Sequence, residues 1–163
     1  MEPQNWSGRG YPYSKNENRG KSGRTQSERE TETKADRFLK ELKLSYQPSW
    51  ITNGADKNLV EYAEQVGQFM ADNGLTNFKI RSIYGEIKRI QMGEFEKEKS
   101  SFYLLKPKVA YALGRDSKNE GLKLFKSIFD KSSQDVSDQK SYQNFCGFIE
   151  AILAYHKAYG GKD

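Results

Sequence analysis

Residues 78–91 read FKIRSIYGEIKRIQ, and their spacing decides what kind of fold the chain builds. Wound as a helix, Ile80, Ile83, Ile87 and Ile90 fall within about a quarter-turn sector, with Tyr84 at its margin. Arg81 and Lys88 share one flank of that stripe, and Arg89 points nearly opposite it. Residues 104–116 (LLKPKVAYALGRD) repeat the plan: Leu105, Val109, Ala112 and Leu113 make an apolar face, while Lys108, Tyr111 and Arg115 line another. Between positions 76 and 115, nine Lys/Arg stand against four Glu, a surplus of five that equals the formal charge of the whole chain. The positive field is therefore concentrated on two consecutive helices.

Reading outward from this block, the same period recurs on both sides. Leu59, Ala63, Val66 and Met70 follow a 4, 3, 4 spacing widened by Tyr62 and Phe69. Asp56 is placed to cap that helix, Asn73-Gly74 to close it, and Thr76 to cap the next. Further on, Leu122, Phe125, Ile128 and Phe129 mark one helix, and Tyr142, Phe145, Ile149, Ile152 and Leu153 mark the last. Ser117 reads as the start of the former, residues 132–139 as a polar linker, and Gly160-Gly161 as the end of the latter. Phe38, Leu39 and Leu42 form a short amphipathic stretch, and Pro48 marks a loop after it. Residues 94–99 alternate in charge and fit either an extension of the long basic helix or a solvated turn. The next helix starts either near Pro107, which suits a first turn, or at Phe102 with a bend. No segment alternates with period two. The expected fold is all-α, a compact bundle of about five helices over residues 34–163, preceded by a disordered tail over residues 1–33.

Composition bounds the chemistry. A charged fraction of 30% against 35% hydrophobic residues requires a heavily solvated surface, and the 13% aromatic content supplies core area in compensation. No run is apolar enough for a membrane span or a signal peptide, and the single Cys146 cannot form an internal disulfide, so a cytoplasmic home is expected. The pI near 9.1 favours a polyanionic partner. In the tail, Arg9, Arg19 and Arg24 beside glycines suit a solvated segment or a weak RNA holder. Gly20-Lys21-Ser22 is not a phosphate loop, because Lys15 stands where that motif needs Gly and no strand precedes it.

Hydrolytic chemistry needs a nucleophile with its base, or carboxylates and imidazoles grouped around a metal. The single histidine, His156, lies on the apolar stripe of the last helix. It reads first as a core or interface histidine with one hydrogen-bonded nitrogen, and second as a helix-end histidine near RNA. Cys146 has nothing basic on its face and reads as a buried thiol. Asp116, Glu120 and Asp130 lack the spacing of a metal site. The expectation is a protein that is not an enzyme and that has no catalytic residue, metal or cofactor.

The blocks IRSIYGEIKRIQ, LLKPKVAYALGRD and FCGFIEAILAYHK (145–157), in this order and spacing, resemble the small helical subunit of the type III-A CRISPR (Csm) interference complex. The resemblance covers about residues 57–157. It implies a non-catalytic subunit that stacks in several copies along guide RNA and its target RNA, beside backbone subunits that cut the target and a large palm-domain subunit at one end. On that reading Arg81, Lys88, Arg89, Lys106, Lys108, Tyr111, Arg115 and Lys157 are the candidate RNA contacts. Two rivals stay open. One is a helical adaptor or self-assembling scaffold with no nucleic-acid contact, and the other is a small metal-dependent nuclease, for which ligands are wanting.

Overall fold

A computed structural model describes residues 31–163. The expected disorder of residues 1–33 falls almost wholly outside that range. Within it the chain forms eight helices and no strand: α1 (Lys34–Glu41), α2 (Ser49–Thr52), α3 (Lys57–Asp72), α4 (Asn77–Gln91), α5 (Phe95–Tyr103), α6 (Leu105–Arg115), α7 (Glu120–Ser133) and α8 (Gln139–Ala158).

Local chemistry sets most of the boundaries. Side-chain oxygens of Thr33, Asp56, Thr76, Asn119 and Asp138 accept from the first-turn N–H groups of α1, α3, α4, α7 and α8. Asn119, rather than Ser117, starts α7, because its amide oxygen reaches the Leu122 N–H at 2.8 Å. Gly74, at φ +86°, ends α3 in a Schellman turn in which the Leu75 N–H returns to the Met70 carbonyl at 3.1 Å. Gly160, at φ +85°, ends α8 in the same way, with the Gly161 N–H on the His156 carbonyl.

Beyond the five periodic helices and the short stretch of α1, packing adds two more, α2 and α5. Pro48 lies in the loop that follows α1, as expected, and leads directly into α2, a single turn that buries Trp50 and Ile51 completely against α8. The charged run 94–99 is neither an extension of α4 nor a solvated turn. It is the first part of α5, held down by buried Phe95 and Phe102. Leu104 ends α5 and begins α6, leaving Pro107 in the first turn of α6, where its missing N–H costs no helical bond. Residues 132–139 are also not all linker, since Ser132 is buried inside α7 with its hydroxyl on the Ile128 carbonyl at 2.8 Å.

The centre of the bundle is α3 against α8, and Gly67 makes that contact possible. A Cβ at Gly67 would lie 2.7 Å from the His156 nitrogen and the Ile152 oxygen, so the two backbones meet there almost directly. Two aromatic clusters fill the space around this crossing: Trp50, Tyr62, Phe148 and Tyr46 on one side, Phe95, Phe102, Tyr142 and Phe145 on the other. The Tyr142 hydroxyl donates to the Ile87 carbonyl at 2.7 Å, tying α8 to the basic helix α4.

Candidate nucleic-acid interface

Helix α4 buries Ile80, Ile83, Ile87 and Ile90 as the stripe requires, and leaves its cationic flanks outside the core. Helix α6 lies beside it. Lys79, near the start of α4, pairs with Asp116 just past the end of α6, and Glu86, in the middle of α4, meets Lys108 near the start of α6 at 3.6 Å. These two pairs fix the helices antiparallel. On its other flank α4 meets α8 through Lys88–Glu150 at 2.6 Å and Gln91–Gln143 at 3.0 Å.

The eight candidate residues consequently fall into separate groups. Lys108, Tyr111 and Arg115 share the flank of α6 that faces α4, and the Arg115 guanidinium lies 5.9 Å from the Tyr111 ring centroid. Arg89 stands on the outside of α4 and is held by two carboxylates, Glu86 at 3.3 Å and Glu98 of α5 at 3.0 Å. Arg81 and Lys88 occupy the flank of α4 toward α8. Lys157, at the end of α8, pairs with Asp163 at 3.0 Å, and that carboxylate also accepts from the Asn77 side chain at the start of α4. Lys106 is not brought to the band: it lines a shallow cavity on the opposite flank of α6 with Phe102, Phe129 and Ser133.

Acids from neighbouring elements thus partner several cations that look unneutralised along α4 itself. The Lys88 ammonium is held above its ordinary value first by its hydrogen bond to Glu150, and Arg89 likewise by Glu86 and then Glu98. In return Arg89 first, with Lys108, holds Glu86 below the usual carboxylate range. These pairs are half-exposed and screened by solvent, so each contributes little and a phosphate can replace a carboxylate at little cost. Among the described residues no carboxylate sits within salt-bridge distance of Arg81, Lys106 or Arg115.

Spacing along the chain missed one residue. Phe78, the second residue of α4, is 80% exposed on the side away from the isoleucines, and Tyr111 is 68% exposed. The available signal was a large aromatic side chain outside the stripe beside a run of cations. His156 is buried, with Nε2 on the Leu75 carbonyl at 2.7 Å, as its place on the stripe suggested. Cys146 is buried too, and burial pushes its thiol up to about 11, which keeps it protonated and unreactive. Among the described residues no group of three or more His, Cys, Asp or Glu is placed to hold a metal ion, and no helix is long and apolar enough to cross a membrane.

A family model described as Csm2 Type III-A matches residues 54–162, which span α3 to α8. A curated protein of Streptococcus thermophilus, named CRISPR system Cms protein Csm2, is 30% identical over 120 residues, covering 66% of this chain and 96% of the relative. No solved structure matches the chain.

Proposed function

The chain belongs to the Csm2 family, the small subunit of the type III-A Csm complex, and from that premise we propose that several copies of it line the guide RNA and its target RNA and hold the RNA backbone without reading sequence. The observation that carries this reading is the exposed band on α4 and α6, where cations alternate with aromatic rings outside a fully claimed apolar core. Arginine and lysine there can meet phosphates, and Tyr111 a ribose or base. Sequence is then read by guide–target pairing, so a base-specific contact from this subunit would only narrow the set of usable targets. The partners on this reading are the guide RNA, the target RNA, the backbone subunits, the large palm-domain subunit and further copies of this chain, all in the cytoplasm. On this reading cleavage belongs to the backbone subunits.

The test is titration of mixed-sequence single-stranded RNA at several salt concentrations. Binding by the isolated protein is expected to be weak, indifferent to sequence and steeply weakened by salt. Alanine at Arg81, Lys88, Lys108 or Arg115 should lower affinity for every sequence and flatten the salt slope by up to about one unit per lost phosphate contact. A second reading, a helical adaptor without nucleic-acid contact, is favoured by the acids that already partner Lys88, Arg89 and Lys108. Absent RNA binding in the parent protein would decide for it.

A further inference from the structure

Among the described residues Phe78 and Tyr111 are two of the largest exposed apolar groups, and the ion pairs that set α4 against α6 place both on one outer face. Phe78 adjoins Lys79 and Arg115 adjoins Asp116, so the Lys79–Asp116 pair brings Phe78 to the end of α6 that carries Arg115. Tyr111 stands one turn back from Arg115 along α6, roughly 10 Å from the level of Phe78 at 1.5 Å per residue. A Cβ added at Gly85 of α4 or Gly114 of α6 would meet nothing within 4 Å, so a ligand can approach the helix backbones closely.

The charges around the rings select the occupant. An apolar protein face laid over Phe78 and Tyr111 would strip water from Arg81 and Arg115, which have no carboxylate partner among the described residues, and such desolvation is unfavourable. A single RNA strand meets both demands, because its phosphates compensate the guanidiniums while its bases cover the rings. The geometry points to a base-stacking platform: Phe78 and Tyr111 each stack an unpaired base of RNA, with Arg81 and Arg115 holding the flanking phosphates. This deepens the proposed function and rests on it. It adds that the band prefers unpaired nucleotides to continuous duplex, because a paired base has no face left to offer.

Base–aromatic contact depends on the ring and is indifferent to salt, whereas phosphate contact is the reverse. The experiment compares Phe78→Leu, Tyr111→Leu and Tyr111→Phe with the parent protein. Each is titrated with a mixed-sequence single strand, the same strand carrying abasic sites, and the blunt duplex, at several salt concentrations. Both leucine variants should bind the single strand about five- to thirtyfold more weakly with an unchanged salt slope. Their duplex affinity should fall far less than their single-strand affinity, and Tyr111→Phe should retain single-strand affinity. Abasic sites should weaken the parent and not the leucine variants. Circular dichroism should show all variants folded, since both rings lie outside the core. If the parent binds RNA and the leucine variants bind the single strand equally well, the platform is wrong while backbone binding stands. If those variants bind RNA normally but fail to join the other Csm subunits, the face is a protein contact and the proposal falls. If the parent binds no RNA, the platform and the proposed function fall together.

Discussion

Gly67 and Gly85 sit in neighbouring helices and answer a methyl group in opposite ways. At Gly67 the added Cβ would lie 2.7 Å from backbone atoms of α8, which cannot move aside without parting the central helix pair. Gly67→Ala should therefore destabilise the fold by about 1–3 kcal/mol. At Gly85 the same Cβ meets nothing within 4 Å, so only helix propensity acts, and Gly85→Ala should stabilise by up to about 1 kcal/mol. Urea unfolding of the two variants checks both signs. Equal effects would mean that α3 and α8 do not cross at Gly67. Surface cations behave differently again. Arg81→Ala and Arg115→Ala should leave the melting temperature unchanged, while loss of the half-buried Lys88–Glu150 pair in Lys88→Ala should lower it slightly.

Among the elements, α1 depends most plainly on charge. Its Ala35 N–H donates to Glu120 of α7 at 3.0 Å, Lys34 reaches the Asn73 side chain at 2.8 Å, and Phe38 stacks on Phe69 of α3. Burial raises the Glu120 carboxyl, but Lys123 and the Ala35 N–H outweigh it and hold the group below its ordinary value of 4.5. A carboxyl lowered by folding stabilises fully above its unfolded value, and that stabilisation is lost as pH falls through the folded value. Asp36 in the α1 capping box, lowered first by the Thr33 hydroxyl, moves in the same direction. Helix α1 should accordingly stay docked at neutrality and loosen from the bundle as acid carries the pH down through the lowered values of these carboxyls. Glu120→Gln at neutral pH removes the charge without changing the size of the side chain, and should speed trypsin cleavage at Arg37 and Lys40. Unchanged cleavage would show that Phe38 alone fastens the helix.

For the whole molecule, the relevant quantity is how much one copy binds. A single band with a handful of phosphate contacts gives weak, salt-steep binding, and useful affinity comes from several copies engaged on one strand. Lengthening the RNA from one site to several should raise apparent affinity per copy and preserve the salt slope per copy. Affinity independent of length would mean that copies do not act together. Residues 1–33 hold few apolar residues and lie outside the matched residues 54–162, so a chain beginning at Thr31 should melt at the same temperature as the full chain and bind RNA alike. Loss of soluble protein on truncation would assign Trp6, Tyr11 or Tyr13 a packing role.

The sequence by itself determined the helices whose information is local. The isoleucines of α4, the spacing of α3, the caps Asp56 and Thr76 and the turn at Gly74 each act within about one turn of helix, so all were legible without a fold. The burial of His156 and Cys146 followed from the same periodicity. Tertiary structure alone decided α2 and α5, because Trp50, Phe95 and Phe102 give no periodic signal until α8 supplies the surface that they cover. It also decided the charge state of the interface. Glu150 and Glu98 lie far along the chain from Lys88 or on another helix from Arg89, and only packing brings them within reach. The grouping of Phe78 with Tyr111 and Arg115, and the exclusion of Lys106 from it, likewise depend on how α4 lies against α6. A helix wheel fixes which way a side chain points, but not which neighbour it then meets.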